Sequence, residues 1–388
     1  MSWKKVKLGD ICTSQYGYTA SACDEDTGTK FLRITDIVPR NIDWSTVPFC
    51  PIDEKEREKY LLHKGDIVVA RTGATVGYAK YIREETQAVF ASYLVRFIVN
   101  KANIDKAYVG LCIESQMFKD YIASIANGSA QPNANSQMMS AFELPLPDLP
   151  TQQKIASILS AYDDLIDNNL KQIKLLEEAA QRLYTEWFVD LHFPEYENTP
   201  FVDGLPKGWK NEKIGNFVEY FDKKRKPLSS MQRASMQKLY PYYGASSLMD
   251  YVDDYIFDGI YLLMGEDGTV ITPDNFPILQ YIWGKFWVNN HAHVLRGKNG
   301  ISTEFLYIHF KKMPVTDVVT GVAQPKISQG RLSDKKVILP SIDLIKKWSD
   351  LTKPFFEQIR NLSCAITQLQ EARDLLLPRL MSGELNVE

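Results

Sequence analysis

At 388 residues the chain is long enough for two or three ordinary domains, each able to bury its own core. Hydrophobic residues make up 45% and charged residues 24%, a composition that excludes a disordered or fibrous protein. A formal net charge of -3 excludes binding of nucleic acid by bulk charge, so any DNA contact needs local basic patches or basic partners.

The first eight residues, Met1 to Leu8, lack the apolar run of a secretory signal, and no stretch approaches the ~20 apolar residues of a membrane span. A cytoplasmic chain with no membrane partner is expected. The five cysteines are scattered without a C-x-x-C pair, which predicts free thiols rather than a disulfide framework or a cysteine zinc site. Short strand-like runs follow at 31–34, 66–70 and 93–99, punctuated by Gly, Asn and Asp, and predict a mixed α/β domain over 1–150.

From Ile155 an apolar seam steps by four and three through Leu159, Tyr162, Ile166, Asn169, Ile173, Leu176, Ala180, Leu183 and Trp187. This predicts a long helix within 151–198. Leu205-Pro206-Lys207-Gly208 opens a second mixed α/β domain over 199–340, with strand-like runs at 259–264 and 292–295. A second seam then runs through Trp348, Thr352, Phe355, Ile359, Leu362, Ile366, Leu369, Arg373, Leu376 and Leu380, within a helical segment 341–388. Seams this long and narrow predict an antiparallel coiled coil between the two helices. A pseudo-two-fold register sets Ala180 opposite Phe355 and Tyr162 opposite Arg373, the latter as a cation–π contact. Pro354 predicts that the second helix starts near it or kinks there.

The two halves are copies of one unit. Gly128-Ser129-Ala130-Gln131-Pro132 returns as Gly321-Val322-Ala323-Gln324-Pro325 at an offset of 193, and Leu146-Pro147 returns as Leu339-Pro340. Trp3, Leu8 and Gly9 match Trp209, Ile214 and Gly215 at an offset of 206, and Gly73 lines up with Gly268. The length difference therefore lies inside the globular parts, while both helix seams keep one phase.

Catalytic constellations are missing. There is no G-x-x-x-x-G-K-[ST] phosphate loop and no Asn/Asp-Pro-Pro-Tyr/Phe tetrapeptide of the kind that grips a flipped adenine. His291 and His293 stand two apart, one face of a strand, but lack a third ligand at a standard spacing, so groove or surface histidines are expected and no metal. Glu266 and Asp267 are replaced by Arg71 and Thr72 in the other copy, which argues against shared acid–base chemistry.

Tyr242-Tyr243-Gly244-Ala245-Ser246-Ser247, Gly265-Glu266-Asp267-Gly268 and Gln324-Pro325-Lys326-Ile327-Ser328 resemble a target-recognition domain of type I restriction-modification specificity subunits. Lys64-Gly65-Asp66-Ile67 and Ala70-Arg71-Thr72-Gly73-Ala74-Thr75-Val76-Gly77 resemble another variant of that domain, and Gln152-Gln153-Lys154-Ile155-Ala156 with Trp187-Phe188-Val189 is similar to the family's central helix. The resemblance implies a non-catalytic subunit with two target-recognition domains separated by two long antiparallel helices, reading a bipartite asymmetric site on double-stranded DNA. It also implies two modification subunits that methylate adenine with S-adenosylmethionine, and restriction subunits that use ATP and magnesium.

Base reading favours amides for adenine and Arg or Lys for guanine. In the first copy the candidate DNA contacts are Arg71, Thr72, Thr75, Ser92, Tyr93, Gln131, Asn133, Asn135 and Gln137. In the second they are Lys223, Lys224, Arg225, Tyr243, Ser246, Ser247, Asn290, His291, Gln324, Lys326 and Ser328, with the basic run assigned to phosphates. The alternatives are a stand-alone DNA enzyme and a coiled-coil scaffold with no DNA role.

Overall fold

The structure, a computed structural model, describes residues 3–126, 132–321 and 324–387. The chain forms two compact units, 1–167 with 367–388 and 168–366, each of which takes in part of both long helices.

In the first unit the strands Cys12–Tyr16, Leu94–Val99, Ile67–Ala70 and Ala79–Tyr81 form one antiparallel sheet in that order. The Ile67–Ala70 strand is buried at every residue, which is why its sequence is an unbroken apolar run rather than an alternation. Its side chains still divide by parity. Ile67 and Val69 join a core with Tyr108, Phe118, Ile155, Leu159 and Leu380, whereas Val68 and Ala70 pack with Leu32 and Phe90 on the other face. A parallel strand pair, Lys30–Leu32 with Ala88–Phe90, covers that second face.

The second unit repeats the sheet with Val218–Tyr220, Ala292–Gly297, Tyr261–Gly265 and Leu279–Ile282 in the same order. Here the outer layer is a different, four-stranded sheet containing Tyr240–Tyr243 and Leu248–Val252. Below the sheets the duplication holds residue by residue. Val6 pairs with Leu144 and Glu212 with Val337. A Cβ on Gly9 would stand 3.0 Å from the Ser140 Cβ, and one on Gly215 would stand 3.0 Å from the Ser333 Cβ, so both copies need glycine for the same close approach.

The long helices are Leu149–Phe188 and Ile342–Ser382. Asp148 accepts the Thr151 N–H and Ser341 the Leu344 N–H, equivalent caps at equivalent starts, and Pro150 sits in the first turn, where its missing donor is harmless. Every expected seam position is buried or half-buried. In the first unit Ile155 and Leu159 share a core with Leu376 and Leu380; in the second, Ala180 and Leu183 share one with Phe355 and Ile359, so the segments run antiparallel within each unit.

Three expectations change. The second helix starts at Ile342 and continues through Pro354, whose side chain is exposed, with Trp348 and Phe356 buried on either side of it to hold the helix. Arg373 is kept in the seam by an ion pair from Nε to Asp163 at 2.8 Å rather than by the ring of Tyr162. The first helix ends at Phe188, and residues 189–198 leave it through left-handed Leu191 and Glu195 and a short turn at Tyr196–Asn198.

Candidate nucleic-acid interface

At one end of the first unit's sheet three segments meet. The Arg71 N–H donates to the Tyr93 carbonyl at 3.0 Å, the Ala134 N–H to the Arg71 carbonyl at 2.9 Å, and the Gly73 N–H to the Pro132 carbonyl at 3.0 Å. Thr72 and Asn133 form an antiparallel bridge between them. In the second unit the Glu266 N–H donates to the His291 carbonyl at 2.8 Å, the Ile327 N–H to the Glu266 carbonyl at 2.8 Å and the Gly268 N–H to the Pro325 carbonyl at 3.1 Å, with Asp267 and Lys326 as the bridge. Gly73 and Gly268 share a positive φ, +81° and +83°, which reserves the turn for glycine. Two motifs far apart in sequence thus form one junction, built twice with the same backbone bonds and different side chains.

The side chains at the two junctions arrange charge differently. In the first, the Arg71 guanidinium lies over the Tyr16 ring, 4.8 Å from its centroid, and the Tyr16 hydroxyl accepts the Ser136 N–H at 3.0 Å. That bond and the nearby guanidinium hold the Tyr16 pKa below its ordinary value. In the second, Asp222, Glu266 and His293 converge within 4.8 Å. Their lone pairs are engaged: Arg225 pairs with Glu266 at 2.6 Å, Lys326 with Glu266 at 3.4 Å, and His293 sets Nδ1 2.6 Å from Asp222 and Nε2 2.8 Å from the Ile327 carbonyl. This donor set is an internal ion network, with two cations and the imidazole already opposite two carboxylates.

A family model described as the type I restriction modification DNA specificity domain matches residues 1–178 and 206–368, one loop junction in each stretch. The chain belongs to that family. A type I restriction enzyme specificity subunit of Methanocaldococcus jannaschii is 26% identical over 360 residues, covering 86% of this chain and 81% of its own. The HindI specificity subunit of Haemophilus influenzae is 22% identical with 99% of both chains covered. The crystal structure of a type I S subunit from M. genitalium shares the fold at a TM-score of 0.58 and 16% identity, covering 98% of this chain and 96% of that one.

In this specificity subunit the candidate residues separate into groups. Asn133, Gln137 and Tyr93 are exposed around the first junction, with Arg71, Thr72, Thr75 and Ser92 half-buried beside them. Asn290, His291, Gln324 and Lys326 are exposed around the second, where His291 also pairs with Asp267. Ser246 and Ser247 lie in the turn whose Ala245 carbonyl would stand 3.3 Å from a Cβ on Gly265, so that hairpin borders the junction. Lys223 and Lys224 are exposed on the turn Asp222–Lys224.

Others have local duties. Asn135 and Ser328 are equivalent N-caps, accepting from Met138 N–H and Arg331 N–H. Arg225 is drawn inward, donating to the Asp222 and Ala292 carbonyls as well as to Glu266, so its guanidinium ties the junction together from inside. Tyr243 is half-buried with its ring edge-on to Phe286, and burial raises its pKa. His293 is interior, not a groove histidine. Gln131, with the first three residues of its repeat motif, lies outside the described residues. Tyr16, last in the strand Cys12–Tyr16, and Asp222, two residues past the strand Val218–Tyr220, are equivalent at an offset of 206 and were not singled out by the sequence; the sheet brings each to its junction.

Proposed function

We propose that each unit reads one half of a bipartite asymmetric site on double-stranded DNA through its loop junction, and that the two long helices set the spacer between the halves. The observation that carries this is the duplicated backbone junction with divergent side chains, Arg71, Thr72 and Asn133 in one copy and Glu266, Asp267 and Lys326 in the other. A common frame positions the readers and the side chains select the bases. The chain itself is non-catalytic and acts in the cytoplasm. It recruits two modification subunits, which methylate adenine with S-adenosylmethionine, and restriction subunits, which cleave with ATP and magnesium. Among the described residues no helix is long and apolar enough to cross a membrane.

Mapping methylated adenines in a host that carries this chain with its modification subunit tests the reading. The expected result is a single two-part asymmetric motif, with Asn133→Ala altering one half and Lys326→Ala the other. Methylation or cleavage by the purified chain alone would instead identify a stand-alone enzyme. Absence of duplex binding even with the modification subunits present would leave a scaffold.

A further inference from the structure

The first junction holds a cation whose side-chain donors are not used among the described residues. Arg71 is fixed through its backbone on both sides, to Tyr93 and to Ala134, so its side chain leaves a rigid point. The guanidinium is stacked on Tyr16, and Tyr16 is itself tied to the start of the helix Ser136–Ser140. Among the described residues Arg71 makes no ion pair, and its Nε is buried without a hydrogen-bond partner. The equivalent residue of the second unit, Glu266, faces Arg225 and Lys326. Of two residues at one backbone position, one is committed inward and the other is waiting for an acceptor.

Stacking on a ring occupies the flat face of a guanidinium and leaves its edge, the two-pronged donor fork, free. That fork matches two adjacent acceptors in one plane, as the O6 and N7 atoms of guanine present in the major groove. A phosphate would need neither the fixed backbone nor the aromatic platform, because a flexible Lys reaches it as a point charge. Tyr93, 61% exposed on the adjoining turn, adds a large ring beside the same spot.

We propose that Arg71 is a specificity-determining residue of the first unit, reading a guanine in its half-site through O6 and N7, with Tyr16 as the platform that orients it. This rests on the two-reader function given above. Glu266 has no counterpart role: it supports the second junction from inside, and Lys326 and His291 are the groups presented there.

The test is methylation of a duplex library, randomised across both half-sites, by the full chain assembled with its modification subunits. Wild type is expected to require a guanine at one position of one half-site. Arg71→Gln should relax that position by about five- to a hundredfold and leave the other half-site intact. Tyr16→Phe, which keeps the ring, should retain the preference; Tyr16→Leu should weaken it. Arg71→Lys keeps the charge and loses the fork, so it should keep affinity and lose part of the guanine preference, and it serves if Arg71→Gln fails to fold. The proposal is overturned if Arg71→Gln depresses all sequences alike and shallows the salt slope by about one, the signature of a phosphate contact. It is equally overturned if Arg71→Lys is indistinguishable from wild type, or if neither half-site needs guanine. A wild-type assembly that yields no two-part motif would be a failure of the two-reader function, which separates that outcome from a failure of Arg71.

Discussion

The two units answer one packing problem in opposite ways. Asp163 and Phe356 occupy equivalent places in the two long helices, and so do Arg373 and Ala180. In the first unit the place is polar: buried Asp163 accepts from Arg40 at 2.8 Å and Arg83 at 2.7 Å, and pairs ionically with Arg373 Nε at 2.8 Å. In the second it is apolar: Phe356 is buried against the rings of Tyr281 and Tyr307, and Ala180 leaves room beside it. A carboxylate drawing in three guanidiniums fixes geometry at a desolvation cost, whereas a phenyl ring supplies cohesion without direction. A polar seam position in one copy only also makes the two helix segments non-interchangeable, the use to which buried polar seam residues are best suited.

Truncation should separate the two solutions. Phe356→Ala removes a fully buried ring and should cost about 3–5 kcal/mol, appearing as early melting of the second unit in calorimetry or hydrogen exchange. Asp163→Ala strands three cations that are 15–38% exposed, so solvent screens part of the loss; about 2–3 kcal/mol is expected, confined to the first unit. Equal effects, or effects that appear in the wrong unit, would mean that the ionic and aromatic versions are not independent local devices.

A second contrast titrates. The Tyr184 hydroxyl is hydrogen-bonded with Nδ1 of His309 at 2.7 Å, both side chains being buried, and burial pushes the His309 pKa down to about 4. The offset of 193 places Leu377 at the Tyr184 position, and aligning the nine-residue helices Lys106–Glu114 and Thr303–Lys311 by their N-caps, Asp105 and Ser302, places Cys112 at the His309 position. The folded second unit keeps His309 neutral between about pH 4 and 6.5, where the unfolded chain binds a proton, so stability is full above pH 6.5 and falls as pH drops toward 4. The loss should reach at most about 3 kcal/mol, in the second unit alone. Installing the first unit's pair, as Tyr184→Leu with His309→Cys, should flatten that slope; a slope that survives the exchange would place the acid sensitivity elsewhere.

Much of this was legible because periodicity and duplication are backbone properties. A heptad seam follows from which faces must be dry, and the seam positions between Ile155 and Leu380 were assigned from spacing alone; the equivalence of the two copies followed from glycines and Gln-Pro motifs recurring in order, but not the meeting of those segments at a junction. What stayed hidden depends on where side chains turn. Pro354 looked like a break because its exposure could not be read, and Arg373 found a carboxylate one residue from the expected ring. Tyr16 and Asp222 reach their junctions across a sheet, a pairing no local pattern announces.

The basic run 223–226 shows the same limit within two neighbours, and supplies the smallest effect. Lys224 extends from an exposed turn, 5.3 Å from the Phe221 ring centroid, while Arg225 folds in to Glu266. If Lys224 meets a phosphate, Lys224→Ala should weaken binding of every duplex alike, roughly two- to fivefold at physiological salt, and reduce the salt slope by about one. Arg225→Ala should leave that slope unchanged and instead loosen the second junction, because Glu266 would lose its nearest cation at the point where Lys326 is held. Titrations of both variants against salt decide the matter: a slope change in Arg225→Ala, or a changed base preference in Lys224→Ala, would reverse the two assignments.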